Sequence, residues 1–141
     1  MSGAESVPKG TWPNPSDPIV GCDVVDVVRM RRLLDERPGA RERIFGPHEL
    51  EDAVRGGVDP AADVAIERLA GRFAVKEAVR KALRGRGPTL TAVEVRTDSD
   101  GAPSVWIAGR PTRLACSISH DAGVAMAVVV GDVSMLDEID A

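Results

Sequence analysis

The stretch AGRFAVKEAVRKAL, residues 70–83, has the spacing of a helix with two unlike faces. Each residue advances by about 100° around a helix, so small aliphatic residues collect on one side. These are Gly71, Val75, Ala78, Val79 and Ala82. Phe73, Glu77 and Lys81 form a row of i, i+4 and i+8 positions on roughly the opposite side. A ring that shares its row with an acid and a base predicts that this second face is covered as well.

The sequence around this stretch predicts one strand, then helices, then further strands. PIVGCDVVDV (residues 18–27) is rich in β-branched residues, whereas residues 25–37, 46–55 and 59–85 have helical spacing. Asp59 and Pro60 are a candidate N-cap and first residue of the longest helix, and Gly85 can end it. Strand-like segments follow at residues 89–97, 102–109, 113–121 and 123–132. This order predicts an α+β fold with helices packed on a mostly antiparallel sheet.

The bulk composition is that of one globular domain. The chain has 141 residues, of which 43% are hydrophobic and 28% charged, which excludes wholesale disorder. We expect residues 1–17, rich in Pro, Gly and Ser, to be a flexible leader, residues 18–132 to be the domain, and residues 133–141 to be an acidic tail. No apolar run approaches transmembrane length, and a net charge of −4 argues against general nucleic-acid binding.

The cysteines indicate the compartment. Cys22 and Cys116 both lie inside apolar, strand-like runs. Two buried, reduced thiols fit a cytoplasmic protein better than a disulfide framework does.

Four polar residues are candidates for chemistry, and each has a plainer interpretation. Asp23 interrupts an apolar strand, where an acid is costly to bury unless it is paired or binds a cation, but its side chain can instead point to solvent. Glu77 and Lys81 have the favoured spacing of a helix-surface ion pair. His120, in SISHD, can be a structural residue at a strand end. The chain has no P-loop, zinc-ligand or nucleophilic-serine motif.

A basic segment stands out in this acidic chain. Between Arg29 and Arg43 there are six arginines against three acidic residues. Such a segment predicts either an acidic partner or a solvated helix face.

Three motifs, in order, resemble those of one family. VGCDVVDVVRM, LAGRFAVKEAVRKAL and SISHD are similar to the motifs of the holo-acyl-carrier-protein synthases, the short single-domain 4′-phosphopantetheinyl transferases. The resemblance implies a homotrimer that binds coenzyme A and Mg²⁺ in a cleft between subunits. It further implies Mg²⁺-dependent transfer of 4′-phosphopantetheine from coenzyme A to a serine of an acyl carrier protein in fatty-acid or polyketide synthesis, with release of adenosine 3′,5′-bisphosphate.

The resemblance also assigns roles to individual residues. Asp23 and Glu77 correspond to the metal ligands, and Lys81 to a lysine that reaches a phosphate. His120 corresponds to a histidine on the nucleotide phosphates, and Phe73 would pack near the cofactor or the next subunit. The first helix would dock the carrier protein, through three arginines. Arg29 matches the family at its position, and Arg32 and Arg37 are its neighbours.

Some features depart from the family pattern or leave it open. Asp26 replaces a commoner glutamate, and Gly46 stands where a threonine usually precedes the second helix, so that a capping hydroxyl is lost.

The general base is not evident: Glu49 and a metal-held water are both candidates. The alternative function is a non-catalytic module that binds a carrier protein or a nucleotide. Such a module would be expected to lose Asp23 or Glu77.

Overall fold

A helix of 20 residues lies against two small antiparallel sheets. The computed structural model describes residues 14–140. The strands and helices, in chain order, are β1 (Pro18–Asp26), α1 (Val27–Glu36), α2 (Ala40–Ile44), α3 (Pro47–Ala53), α4 (Asp63–Ala82), β2 (Val93–Thr97), β3 (Pro103–Ile107), β4 (Arg110–Pro111), β5 (Ala115–Asp121), β6 (Val124–Asp132) and α5 (Met135–Asp140). The first sheet has the order β1-β6-β5 and the second the order β2-β3-β4. All pairs are antiparallel, which confirms the predicted α+β class.

The aliphatic face of α4 forms the centre of the core. Ala74, Val75, Ala78 and Val79 are completely buried in it. β1 crosses this face at Gly21, where a Cβ atom would overlap the carbonyl oxygen of Ala78. Only glycine permits this approach of strand to helix, and the approach places Asp23, two residues later, beside α4.

A buried ion pair joins α4 to α3 and the second sheet. Lys76 Nζ lies 2.7 Å from Glu49 Oε1, and both residues are fully buried. Glu49 also accepts hydrogen bonds from the backbone N–H groups of Gly46 and Val95, and Lys76 donates to the carbonyl of Leu90. Burial raises the pKa of Glu49, with Lys76 opposing the shift, and burial lowers the pKa of Lys76. Glu49 is therefore a structural residue, and the expectation that it is a candidate general base is wrong.

Gly46 lacks the hydroxyl that would cap α3, and the carboxylate of Glu94, in β2, takes its place. A Cβ at Gly46 would collide with Glu94 Oε2, so the glycine makes room for this side chain. Glu94 lies 3.0 Å from His48 Nδ1 and accepts from Arg96 Nε at 2.8 Å. It also accepts from the backbone of His48, in the first turn of α3. Burial acts to raise the pKa of Glu94, and these contacts outweigh it, so that its pKa lies below the usual value.

The structure differs from the predicted boundaries at the start of α4. The helix begins at Asp63 with Ala62 as its N-cap, rather than at Asp59 and Pro60. Asp59 instead accepts a hydrogen bond from the N–H of Ala61 at 2.7 Å, as the first residue of a turn.

The two ends of the domain lie side by side. Most of the leader, residues 1–13, lies outside the described residues. Asp17 and Pro15 accept hydrogen bonds from the backbone N–H groups of Val133 and Ser134. The segment expected to be an acidic tail contains α5, whose Met135 and Leu136 are buried in the core.

Both cysteines are free thiols, but only one is sheltered. Cys116 is half-buried, and burial raises the pKa of its thiol to about 11. Cys22 is exposed, because it points to the outer face of β1 and away from α4, so the expectation that both are buried is wrong for Cys22. Within residues 14–140, no helix is long and apolar enough to cross a membrane.

Candidate active site

A cleft between β1, α1 and α4 collects four of the predicted site residues. Asp23, Arg29, Phe73 and Glu77 all line it, together with Val24, Val25, Asp26, Met30 and Leu33. Phe73 and Glu77 are half-buried. Phe73 and Glu77 of the polar row of α4 therefore face this cleft, which explains why a ring and an acid share one side of the helix.

Asp23 reaches the cleft because of the strand alternation in β1. Ile19, Gly21 and Val25 are buried, and Asp23 shares their side of the strand, so it faces α4. Its side chain is 17% exposed. The plainer interpretation, a side chain on the solvent face of the strand, is thereby excluded.

Lys81 pairs with Asp23 rather than with Glu77. Its Nζ donates to Asp23 Oδ1 at 2.9 Å and to the carbonyl of Cys22 at 3.1 Å. The hydrogen bond to Asp23 raises the pKa of Lys81, although the lysine itself is exposed. The ion pair expected within the helix is thus replaced by a bridge from α4 to β1.

Glu77 has the looser environment of the two carboxylates. Its side chain is 27% exposed, and Arg80 Nη1 lies 3.9 Å from its Oε1. Asp26, also in the cleft, caps α1 by accepting from the N–H of Arg29 at 3.2 Å. Its carboxylate thus has a structural task at the start of that helix.

The donor set suits magnesium better than a metal that needs a closed cage. No group of three or more His, Cys, Asp or Glu side chains within residues 14–140 is arranged to hold a metal ion. Two carboxylates, from β1 and α4, do face one open cleft. Mg²⁺ commonly takes one or two carboxylates and completes its shell with water and phosphate oxygens, so Asp23 and Glu77 fit that ion.

His120 lies in a second cleft. It is exposed near the end of β5, with Arg55, Arg68 and Arg72 among its neighbours in that cleft. Arg68 and Arg72 project from α4 on roughly the opposite side from Glu77, at about 100° per residue. Within one chain, therefore, the structure does not bring His120 to Asp23 and Glu77.

The sequence patterns do not single out the arginines of the second cleft, which are Arg55, Arg68 and Arg72. Arg72 is only 9% exposed and forms an ion pair with Asp52. It also donates to the carbonyl of Arg68 at 3.0 Å and to Thr97 Oγ1 at 3.3 Å, while its Nε has no partner within the described residues. Burial lowers the pKa of Arg72. The sequence does contain one indication of this cleft: Arg72 falls among the positions of α4 that are buried.

The six arginines of the basic segment divide into two sets. Three hold the fold: Arg31 donates to Ala61 and Asp63, and Arg41 and Arg43 donate to backbone carbonyls. The other three are exposed, and within the described residues their side chains make no hydrogen bond or ion pair. They are Arg29, Arg32 and Arg37.

Comparisons with known proteins agree on one family. A family model described as the 4′-phosphopantetheinyl transferase superfamily matches residues 19–129. The chain is 39% identical over 122 residues to a holo-[acyl-carrier-protein] synthase of Kocuria rhizophila, covering 79% of this chain and 89% of that protein. It is 41% identical over 124 residues to the synthase of Frankia alni, covering 80% and 95%.

Solved structures give the same result. The fold is similar to that of a holo-(acyl-carrier-protein) synthase from Bacillus anthracis in complex with CoA (3′,5′-ADP), with a TM-score of 0.66 and 32% identity over 79% of this chain and 93% of that one. It is also similar to an ACPS–CoA complex from Chronobacterium ammoniagenes, with a TM-score of 0.65 and 28% identity over 80% and 95%.

Proposed function

Since the chain belongs to the 4′-phosphopantetheinyl transferase superfamily, we propose that it catalyses the Mg²⁺-dependent transfer of 4′-phosphopantetheine from coenzyme A to a serine of an acyl carrier protein. It is an enzyme of the holo-[acyl-carrier-protein] synthase type and uses coenzyme A. The magnesium ion and the release of adenosine 3′,5′-bisphosphate are the finer parts of the proposal. The observation that carries the metal is that Asp23 and Glu77 face one cleft from different elements. Release of the bisphosphate follows from the proposed transfer, because it is the part of coenzyme A that remains when phosphopantetheine leaves.

Asp23 and Glu77 would hold the metal, and Lys81 would bind phosphate. When bound, Mg²⁺ would offset the negative charge that develops on the pyrophosphate oxygens as the bond to phosphorus breaks. The ammonium group of Lys81 lies 2.9 Å from Asp23 Oδ1, and its flexible stem would allow it to reach a phosphate oxygen. Phe73 lines the apolar part of the cleft beside Glu77.

The nucleophile would come from the substrate, because the attacking hydroxyl is the serine of the carrier protein. This agrees with the lack of a nucleophilic serine motif in the chain. Full burial removes Glu49 from the candidates for general base, so a water held by the metal is the remaining one.

The second cleft would bind the nucleotide. Arg55, Arg68 and Arg72 lie beside His120 there; Asp52 pairs with Arg55 and Arg72, but the three arginines outnumber Asp52 and Glu67, so positive charge remains for phosphate groups. We call this the His120 cleft, and the cleft of Asp23 and Glu77 the metal cleft, after its proposed role. Because the two lie on different sides of α4, one coenzyme A would contact the metal cleft of one copy and the His120 cleft of another.

A homotrimer would bring these clefts together. The outer face of the first sheet exposes a patch of apolar side chains that a second copy can cover: Val20 at 62%, Val24 at 59%, Met126 at 40% and Val130 at 44% exposure. These side chains lie on β1 and β6, next to Asp23, and Val24 pairs directly with Met126. The proposed interface thus borders the metal cleft.

Arg29, Arg32 and Arg37 would dock the carrier protein. They are exposed, and unlike Arg31 they are not engaged in holding the fold. Three available cations on and just after one helix suit an acidic partner surface. A cytoplasmic location remains a prediction from the cysteine content, and so does a role in fatty-acid or polyketide synthesis.

The alternative, a non-catalytic binding module, is disfavoured by the presence of both carboxylates in one cleft. The deciding experiment incubates the protein with coenzyme A, Mg²⁺ and an apo carrier protein, and follows the carrier by mass spectrometry. We expect the carrier to gain one phosphopantetheine, and expect no gain when a chelator removes the metal. Binding of several carriers with no gain in mass would favour the module.

A further inference from the structure

The ammonium group of Lys81 binds the carboxylate of Asp23, which we assign to the metal. Lys81 Nζ lies 2.9 Å from Asp23 Oδ1 and 3.1 Å from the carbonyl oxygen of Cys22. The Asp23 side chain is mostly covered, at 17% exposure, whereas that of Lys81 is 57% exposed. The aspartate therefore stays in place while the lysine is free to leave into solvent.

A divalent cation and the ammonium would compete for this aspartate. Both are drawn to the same carboxylate, and they repel each other at such short range. An ion pair with one exposed partner is weak. A divalent cation can therefore displace Lys81 from Asp23. Lys81 also lies one helical turn beyond Glu77, the other assigned ligand, and it would therefore lie close to a phosphate group held by that metal.

We propose that Lys81 is an exchangeable counter-ion. It neutralises Asp23 while the cleft holds no metal, and it moves to the pyrophosphate of coenzyme A when the nucleotide and the metal bind together. Coenzyme A would then increase the affinity for the metal, because it gives the displaced ammonium a new anionic partner. This inference rests on the proposed function, since it takes Asp23 and Glu77 as the metal ligands.

Arg80 offers a matched control on the same helix. It is a neighbouring exposed cation, and its guanidinium lies 3.9 Å from Glu77 Oε1. The described contacts of Asp23 include Lys81 but not Arg80. Removal of either cation lowers the local positive charge by one and takes a cation away from one assigned ligand, so a difference between the two variants reports the 2.9 Å hydrogen bond to Asp23.

The experiment measures Mn²⁺ binding, as a paramagnetic substitute for Mg²⁺, by electron paramagnetic resonance with and without coenzyme A and with no carrier protein present. For Lys81→Met without coenzyme A, we expect affinity at least about fivefold tighter than for the wild type, the lower end of typical coupling between sites. We expect coenzyme A to increase the Mn²⁺ affinity less in this variant than in the wild type. Arg80→Met should change both quantities by clearly less.

Other outcomes would overturn the proposal at different levels. If Asp23→Asn abolishes Mn²⁺ binding while Lys81→Met binds as the wild type does or more weakly, the counter-ion exchange is wrong and the metal site stands. An Arg80→Met effect equal to that of Lys81→Met would also overturn it, since the effect would then not depend on the contact with Asp23. If neither the wild type nor any variant binds Mn²⁺, with or without coenzyme A, the metal role of Asp23 and Glu77 fails together with the exchange.

Discussion

At the scale of single residues, two carboxylates with different surroundings face one cleft. Asp23 is mostly covered and paired with Lys81, whereas Glu77 is more exposed and only loosely approached by Arg80. Glu77 therefore contributes little to the fold, and its carboxylate is available for the proposed metal.

We predict that Glu77→Gln abolishes transfer and leaves the fold intact. The amide lacks the charge that would hold Mg²⁺, while loss of a surface ion pair on a helix changes the free energy of unfolding by only about 0.3–0.5 kcal/mol. Turnover with coenzyme A and carrier protein, together with a thermal melt, measures both effects. Near wild-type turnover in this variant would falsify the metal role of Glu77.

At the scale of helices and strands, α4 contributes residues to both clefts. One side of this helix packs against the first sheet, another places Phe73 and Glu77 in the metal cleft, and a third places Arg68 and Arg72 beside His120. The geometry of both clefts therefore depends on how closely the strands approach α4.

We predict that Gly21→Ala destabilises the protein by at least about 1–3 kcal/mol, the usual cost of overpacking a core. The new methyl group would overlap a backbone carbonyl of α4, which cannot rotate away as a side chain can. Gly131→Ala is the matched control, because the nearest atoms there are the side-chain ends of Leu114 and Met135. Urea unfolding of both variants measures the difference, and equal losses would contradict this explanation of Gly21.

The prediction about carrier recognition concerns Arg29 in helix α1. Arg29→Glu should raise the KM for the carrier protein far more than the KM for coenzyme A, because it reverses a charge on the proposed docking surface. The effect should shrink near 1 M salt, where the Debye length is roughly 3 Å. Arg110→Glu, an equal charge reversal on β4, should leave both constants nearly unchanged.

Two results would contradict this account of Arg29. Unchanged KM values at every salt concentration would mean that the residue lies on a solvated helix face and does not recognise the carrier. A larger effect on coenzyme A than on the carrier would place Arg29 on the nucleotide phosphates, a role that its position in the metal cleft also permits.

At the scale of the whole molecule, the metal cleft and the His120 cleft are separate in one chain. The exposed apolar face of the first sheet is the surface on which copies would associate. If the active site is shared between copies, two inactive variants can restore each other.

We predict that Glu77→Gln and His120→Ala are each inactive alone, and that activity returns when the two chains are refolded together. After random mixing into trimers, about one shared site in four would hold both wild-type residues. Turnover before and after mixing is the measurement. No recovery in mixed trimers, verified by mass, would mean that each site is built within one chain.

Much of the architecture follows from local patterns in the sequence. The period of 3.6 residues in α4 and the β-branched and alternating segments determine the α+β class, since hydrophobic periodicity acts within a single element. The polar row of Phe73, Glu77 and Lys81 follows from the same spacing and indicates a second covered face. Family motifs added the assignment of Asp23 and His120 to a coenzyme A site.

The partners of those residues depend on tertiary structure. Spacing along α4 pairs Lys81 with Glu77, but the close crossing at Gly21 brings Asp23 nearer to the lysine. Glu49 looks like an available acid in the sequence, and only packing places it in a buried pair with Lys76. Likewise Glu94 replaces a capping hydroxyl from 48 residues away in the sequence. These contacts join residues distant along the chain, and their energies depend on burial and approach, which no local pattern contains.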